Sequence, residues 1–268
     1  MNERGTASAP GKIILSGEYA VVFGKRGIAV PSKESVTITW TKDAALSKPQ
    51  IVWEGGAHAK WIEYIERILR YLKPHTGPLQ GTLTVDCHIP LGKGMGSSTA
   101  LVIAVSRCML GDMCKDIALE IEDQINPGHG GIDFEVIWEN APIVYERGKE
   151  PRSITLSKDI LTHAKFIDSG MPNETTKELI AWMKTRGKEI EPAIEIIGNC
   201  TERLLKSEPL HAVLHDHHRA QVALGIVPES ALRIIERAER EGGCGKVIGA
   251  GGRTGGGGMV LVLPPLAE

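Results

Sequence analysis

Aromatic residues are scarce in this sequence, since Phe, Trp and Tyr together make up 4% of its 268 residues. No apolar run reaches the about 18 residues that would suggest a transmembrane helix, and the N-terminal segment MNERGTASAPGK has no apolar signal-peptide core. Acidic and basic residues nearly balance, with a net charge of −2. A balanced charge favours neither nucleic acid nor a membrane surface as a partner. These absences predict a cytoplasmic protein that binds neither.

The cysteines and histidines offer little sign of a metal site. The five cysteines are odd in number and form no C-x-x-C pair, which predicts reduced, mostly buried thiols rather than a disulfide framework or a zinc site. Two histidines one helical turn apart, His211 and His215, suggest a ligand pair. Only Asp216 adds a carboxylate nearby, so we predict a solvated helix face that carries His211, His215, His217 and His218.

The hydrophobic pattern predicts an α+β protein with a β-rich first half and a helical second half. Period-two alternation indicates strands, and helical spacing of apolar residues indicates a helix over 57–73 that Pro74 ends. The second half reads as four helices followed by a strand, a glycine tract at 249–258 and a final strand. The predicted strands are 12–15, 36–40, 82–89, 141–146, 152–156, 164–168 and 259–263, and the other predicted helices are 100–110, 115–125, 174–186, 190–206, 210–223 and 229–241.

A glycine-rich loop joins the strand at 82–89 to the apolar helix at 100–110, with the sequence PLGKGMGSST. Glycines let the backbone approach an anion, and a helix N-terminus adds partial positive charge, so this arrangement suits a polyphosphate. The spacing matches neither the Walker A motif nor the dinucleotide fingerprint. Two interpretations stay open from the residues alone: a phosphate site, or a tight turn with a serine cap.

The loop resembles the second motif of the GHMP kinases, P-x-G-x-G-[LM]-G-S-S-[ST]-A. Two further motifs of that family follow its required order. Residues 9–24, APGKIILSGEYAVVFG, are similar to the first motif, and residues 246–258, KVIGAGGRTGGGG, are similar to the third. Within the family the likeness is to the mevalonate kinases, which share the segment around Gly131-Ile132-Asp133 and those at 168–180 and 217–232.

The resemblance implies a two-domain fold and a phosphoryl transfer from ATP with Mg²⁺. An N-terminal domain like ribosomal protein S5 domain 2 would span 1–155, a helical α+β domain would span 156–268, and the active site would lie between them. The implied acceptor is mevalonate or a related hydroxy or phospho acid, and a homodimer is possible. The rivals are phosphomevalonate kinase, another GHMP metabolite kinase, and a catalytically silent sensor of metabolite or nucleotide.

The family's residue roles carry over to matching positions. Asp133 would accept or orient the proton of the acceptor hydroxyl, with Lys12 beside it. Ser98 and Glu122 would hold Mg²⁺. The acceptor pocket would be bordered by Glu18, Tyr19, Thr176 and Gly251, with Thr175 as an equal alternative to Thr176. The ATP phosphates would be held by Gly92, Lys93, Gly94, Met95, Gly96, Ser97, Ser98 and Thr99.

Four departures from the family pattern bear on the substrate and on the loops. Tyr19 replaces a histidine, and G-E-Y-A-V is also seen in phosphomevalonate kinases. The segment between Ser98 and Glu122 is short. Gly128-His129-Gly130-Gly131 replaces N-P-S-G, and Arg253-Thr254 is inserted in the third motif, which predicts a longer and more mobile loop. A phosphorylated acceptor would need additional cations, for which the candidates are Lys25, Arg26 and Lys93.

Overall fold

The computed structural model describes residues 3–56, 59–157 and 160–265. Its first half is a six-stranded sheet in the order β3-β4-β2-β5-β6, with β1 paired to β2. All neighbours are antiparallel except the parallel pair β3 and β4. The strands are β1 (Arg4–Ser16), β2 (Arg26–Lys42), β3 (Gln50–Trp53), β4 (Gly81–Cys87), β5 (Ile143–Glu146) and β6 (Arg152–Ser153).

Four helices accompany this sheet: α1 (Ala59–Thr76), α2 (Ser97–Leu110), α3 (Lys115–Ile125) and α4 (Ile132–Glu139). The apolar alternation of β2 turns Val36, Ile38 and Trp40 into the core. Helix α2 is apolar on nearly all sides, and its residues from Ala100 to Val105 are fully buried. A helix of that composition belongs in the interior, so α2 is the central element around which β1, β2 and the other three helices pack.

The second half is a three-stranded antiparallel sheet, in the order β7-β9-β8, with four helices. Its own apolar cluster joins α5, α6, α7 and α8 to β8 and β9. Within the described ranges, no helix is both long and apolar enough to cross a bilayer. The elements are β7 (Lys165–Asp168), α5 (Thr176–Arg186), α6 (Glu191–Leu205), α7 (Leu210–Leu224), α8 (Glu229–Arg240), β8 (Cys244–Val247) and β9 (Met259–Leu263).

Several predicted elements differ in extent from the structure; β2 runs from Arg26 to Lys42 rather than over 36–40, and β6 is only Arg152–Ser153 rather than 152–156. Pro74 does not end α1, which continues to Thr76. The Thr76 hydroxyl donates to the Leu72 carbonyl at 3.2 Å, so the last turn of α1 has a side-chain hydrogen bond to its backbone. The predicted start of that helix at 57 lies outside the described residues. Strand β1 is also much longer than 12–15, because an edge strand tolerates Pro10 and a register shift follows it. The boundary at 155/156 stays a prediction; the two sheets lie on either side of it.

The two glycine-rich tracts touch backbone to backbone. A Cβ on Gly249 would lie 2.6 Å from the Gly94 Cα, and one on Gly94 would lie 2.4 Å from the Ile248 carbonyl oxygen. The Met259 N–H donates to the Lys93 carbonyl at 3.0 Å. Only glycine permits this approach, since both Gly94 and Gly249 also have positive φ. The loop before α2 and the loop after β8 therefore form one continuous surface.

This contact predicts that Gly249→Ala destabilises the protein far more than Gly148→Ala. Both glycines have φ near +80°, but Gly148 is an exposed turn residue with no described atom within 4 Å of its added Cβ. We expect Gly148→Ala to lower the free energy of unfolding by about 1–2 kcal/mol and Gly249→Ala by about 1–3 kcal/mol more. Chemical denaturation measures both, and equal losses would mean that the two tracts do not touch.

Candidate active site

An ion pair between Lys12 and Asp133 lies at the centre of the candidate site. The Lys12 Nζ is 3.1 Å from Asp133 Oδ1, with the lysine 2% and the aspartate 34% exposed. The register shift in β1 lies between Pro10 and Lys12, and the Lys12 N–H donates to the Met95 carbonyl of the glycine loop at 2.9 Å. A Cβ on Gly96 would lie 2.8 Å from Lys12 Cγ. The loop thus encloses the lysine and leaves the carboxylate accessible.

The turn before α4 fixes the position of Asp133. Gly131 precedes the helix with φ 87°, and a Cβ there would lie 2.0 Å from the Tyr145 hydroxyl. The Gly131 N–H donates to His129 Nδ1 at 3.1 Å, and His129 Nε2 is 2.7 Å from Asp123 Oδ1. Residues 128–131, where the sequence departs from the family pattern, therefore connect the end of α3 to the start of α4 through His129.

Glu122 lies on α3 close to this centre, almost fully buried. Its Oε1 accepts the Thr99 hydroxyl at 2.8 Å, whereas its Oε2 is buried with no hydrogen bond to the described residues. Burial raises the pKa of Glu122, although the side chains of Thr99, His129 and Asn126 act in the opposite direction. A buried carboxylate oxygen without a partner is costly, and a cation would satisfy it.

The Ser98 hydroxyl lies on the same first turn of α2 as Thr99 and hydrogen-bonds to Tyr64. Mg²⁺ prefers one or two carboxylates with phosphate oxygens and water. Over the described ranges, no three His, Cys, Asp or Glu side chains gather into a metal cluster. One carboxylate and one hydroxyl therefore fit a magnesium ion that phosphates and water complete, as the family resemblance implies.

The glycine loop ends at Gly96, whose φ of 76° leads directly into α2. The first turn of a helix leaves N–H groups outside the helical hydrogen bonds, which makes it an anion site. Within the loop, the Gly92 N–H donates to the Ser97 hydroxyl at 3.0 Å. The Lys93 ammonium pairs with Asp168 at the end of β7. Phosphate binding by residues 92–99 stays a prediction.

Glu18 is the centre of a buried charge network that joins the first motif to the third. Its carboxylate pairs with Lys246 of β8 and lies 3.1 Å from His217 Nε2 on α7. Lys246 also donates to the Ile14 carbonyl at 3.0 Å. Burial by itself raises the pKa of Glu18, but the charges of Lys246 and His217 outweigh it and lower the pKa to about 2. The carboxylate is therefore ionised beside the lysine.

The predicted solvated histidine face is wrong for two of its four residues. His217 is fully buried against Glu18, and His218 is buried beside it. Helix α7 turns this side toward β8, because Leu210, Val213 and Leu214 pack inward. Lys246 was not predicted as a site residue. Its signal in the sequence was its place at the start of the segment 246–258 that is similar to the third motif.

Tyr19 connects the first motif to the third on the acceptor side. Its hydroxyl donates to the Ala250 carbonyl, next to Gly251, and burial raises the pKa of Tyr19. Gly251 has φ 66°, and a Cβ there would lie 2.2 Å from the Ile226 carbonyl oxygen. Thr176 is the exposed first residue of α5, while Thr175 is its N-cap and forms a capping box with Glu178.

Two cavities differ in their relation to these residues. One of about 650 Å³ is lined by residues of 154–163, 204–211 and 263–265, away from the ion pair. A smaller one of about 220 Å³ is lined by His129, Gly131 and Tyr145, directly beside the start of α4. Charge and hydrogen bonding, rather than cavity size, therefore identify the candidate site.

Several known proteins are similar to this chain in sequence or in fold. Residues 63–133 match the family model described as GHMP kinases N terminal domain. A mevalonate kinase of Thermococcus gammatolerans is 27% identical, over 97% of this chain and 89% of its own. The structure of the Methanococcus jannaschii mevalonate kinase matches with a TM-score of 0.80 at 20% identity, over 96% of this chain and 90% of that one. The Streptococcus pneumoniae phosphomevalonate kinase in complex with phosphomevalonate and AMPPNP has a TM-score of 0.71 at 14% identity, over 98% and 92%.

The fold is that of the GHMP kinases, which confirms the predicted α+β class. Residues 63–133 are similar to the N-terminal domain of the GHMP kinases, and the curated relatives that match nearly the whole chain are mevalonate kinases. Curated mevalonate kinases are 25–27% identical to this chain, and the matched region covers 88–91% of the length of each.

The buried network predicts that Lys246→Met lowers the free energy of unfolding by about 3–5 kcal/mol, because it leaves the Glu18 charge buried with one partner fewer. Replacing both members, in Glu18→Leu with Lys246→Met, removes that charge and recovers part of the loss. The matched control is Arg233→Met, which breaks an exposed pair with Glu229 and costs less than about 1 kcal/mol. Urea denaturation measures all three variants, and a loss from Lys246→Met no greater than the control would contradict the pairing.

Proposed function

We propose that this protein is an ATP-dependent kinase that phosphorylates a hydroxyl group of a small metabolite, with mevalonate as the preferred acceptor. The observation that carries the proposal is the Lys12–Asp133 ion pair, 3.1 Å long, beside a glycine loop and a helix N-terminus. The GHMP kinase fold and mevalonate kinase relatives that span nearly the whole chain support it.

In this proposal Asp133 accepts or orients the proton of the attacking hydroxyl. Its carboxylate is 34% exposed, so a substrate can reach it. The Lys12 ammonium stabilises the negative charge that develops on the hydroxyl oxygen. Because Lys12 is buried and held through its own N–H by Met95, its charge is fixed in place before the substrate binds. Positioning and charge are the main contributions that phosphoryl transfer needs.

The nucleotide side consists of the glycine loop and the first turn of α2. Backbone N–H groups of residues 92–97 would bind the ATP phosphates, and Ser98 and Glu122 would hold Mg²⁺. The bound ion would neutralise phosphate charge. The unpartnered Glu122 Oε2 supports this assignment. Lys93 pairs with Asp168. It would have to leave that pair before its ammonium could contact a phosphate.

The acceptor side would be bordered by Tyr19, Thr176 and Gly251. Tyr19 touches the residue before Gly251, and Thr176 begins α5 with its side chain exposed. Glu18 would support this wall without binding the acceptor itself, because its carboxylate is paired with Lys246 and His217.

Phosphomevalonate kinase is the nearest rival, and the charges of this chain argue against it. A phosphorylated acceptor would need free cations in the pocket. The three candidates each pair with a carboxylate: Lys25 with Glu195, Arg26 with Glu202, and Lys93 with Asp168. A silent sensor is disfavoured because Lys12, Ser98, Glu122 and Asp133 are all present.

A coupled ADP-release assay tests the proposal with Mg·ATP and a panel of acceptors: mevalonate, 5-phosphomevalonate, homoserine, galactose and none. We expect turnover on mevalonate and a fall in kcat of about 10²–10⁴-fold in Asp133→Asn, with ATP binding retained. Asn keeps the size of the side chain and removes only its charge.

The panel separates the alternatives. Turnover on 5-phosphomevalonate alone would move the protein to the rival kinase. Silence across the panel with intact ATP binding would favour the sensor, and an unaffected Asp133→Asn variant would contradict the role of Asp133.

Glu122→Gln is expected to raise the Mg²⁺ concentration needed for half-maximal activity by about 10–100-fold. Gln can still accept the Thr99 hydroxyl but lacks the charge that would attract the ion. The measurement is activity against free Mg²⁺ at fixed ATP, with Glu120→Gln on the exposed side of α3 as the matched control. The same Mg²⁺ dependence in both variants would remove Glu122 from the metal site.

A further inference from the structure

The two residues inserted into the third motif, Arg253 and Thr254, are held by one carboxylate. Glu174 Oε2 accepts the N–H groups of Arg253 at 3.0 Å and Thr254 at 3.3 Å. Its Oε1 accepts the Thr254 hydroxyl at 2.7 Å. One side chain therefore satisfies three donors from the insertion, and we call Glu174, Arg253 and Thr254 the brace.

Further contacts extend the brace on both sides. The Asn173 N–H donates to the Thr254 carbonyl at 3.2 Å, and Pro172 forms a β-bridge with Gly255. The Arg253 guanidinium lies 4.2 Å from the ring centroid of Trp182 on α5, a cation–π distance. The inserted loop is therefore hydrogen-bonded along its length to the segment that leads into α5.

The brace joins two segments, and each of them carries a residue of the proposed acceptor pocket. Glu174 is two residues before Thr176, and Arg253 is two residues after Gly251. Ala250, next to Gly251, accepts the Tyr19 hydroxyl. We propose that the brace is a positioning device that holds these two walls together, so that Glu174 governs binding of the acceptor and not of ATP. This inference rests on the proposed kinase function.

A role in positioning fits the exposure of the brace. Glu174 is partly exposed and Arg253 and Thr254 are exposed, so these contacts contribute little to global stability. Their effect is local, because three donors fix one carboxylate and hence the backbone on either side of it. Loss of the brace should loosen the acceptor wall while the core and the glycine loop at 92–99 stay intact.

The kinetic test compares Glu174→Ala with Glu174→Gln, using the acceptor that the wild type turns over in the panel. We expect Glu174→Ala to raise KM for that acceptor about 5–20-fold, with kcat and KM for Mg·ATP changed by less than about twofold. Glu174→Gln, which keeps one acceptor oxygen, should recover part of the loss. The matched control is Glu229→Ala on the exposed start of α8, which should leave both KM values unchanged.

A second readout does not depend on activity. Trypsin cleaves after arginine, and the bond between Arg253 and Thr254 is exposed but held by Glu174 through the N–H groups of both residues. We expect Glu174→Ala to be cleaved there about tenfold faster than the wild type, as mass spectrometry of timed digests will show, because cleavage requires local opening.

The two readouts separate the possible failures. If no acceptor on the panel is turned over, the proposed function fails, and equal cleavage rates would then overturn the brace as well. Faster cleavage with an unchanged acceptor KM would overturn the positioning role, and so would an equal rise of KM for acceptor and ATP. Faster cleavage with a selective rise of the acceptor KM supports the proposal.

Discussion

The burial of Lys246 beside Glu18 is the constraint on which the arrangement of the site depends. Each charge taken out of water costs several kcal/mol, and the cost is offset only when the partner is held in contact. Glu18 lies just after β1 and Lys246 lies in β8, 228 positions further along the chain. The pair can exist only if the two halves of the chain pack together at this point.

The neighbours of that pair are the residues that the proposed chemistry needs. Lys12 lies on β1, shortly before Glu18. Tyr19 follows Glu18 directly, and its hydroxyl donates to the Ala250 carbonyl of the third motif. His217 contacts the other side of the carboxylate at 3.1 Å, and burial lowers the pKa of its imidazole. The proposed acceptor wall is therefore positioned in part by the buried Glu18–Lys246 ion pair.

Much of the fold follows from periodicity, whereas the site depends on contacts that periodicity does not contain. The alternation of β2 and the all-apolar run of α2 were sufficient to predict those elements and their burial. Lys12 and Asp133 were paired only through the family resemblance, because nothing local in either segment indicates the other. Lys246 and His217 were missed for the same reason, since each has a partner far away in the sequence. The length of β1 was underestimated because only 12–15 forms an apolar run, whereas the strand also includes Pro10, which an edge strand tolerates.

The glycines of the second and third motifs have a structural explanation that composition alone did not supply. Glycine loops suggest anion binding, but Gly94 and Gly249 are required first by their contact with each other, and Gly96 by its contact with Lys12. Packing and phosphate binding are compatible here, because a loop pressed against another backbone keeps its N–H groups in a fixed direction. The same positions therefore serve both the core and the proposed nucleotide site.

The two carboxylates near the proposed phosphate site have different surroundings, and this difference supports their different roles. Asp133 already has a cation, Lys12, in contact and is 34% exposed, so a substrate hydroxyl can reach it. Glu122 is buried, has no cation in contact among the described residues, and has a raised pKa. Its charge becomes favourable when a cation arrives. Binding of a metal ion with the nucleotide would therefore relieve the cost of burying Glu122 without competing for Asp133. If the two roles were exchanged, Glu122 would be a buried base with no lysine beside it. Asp133 would then be a metal ligand whose charge is already balanced by Lys12.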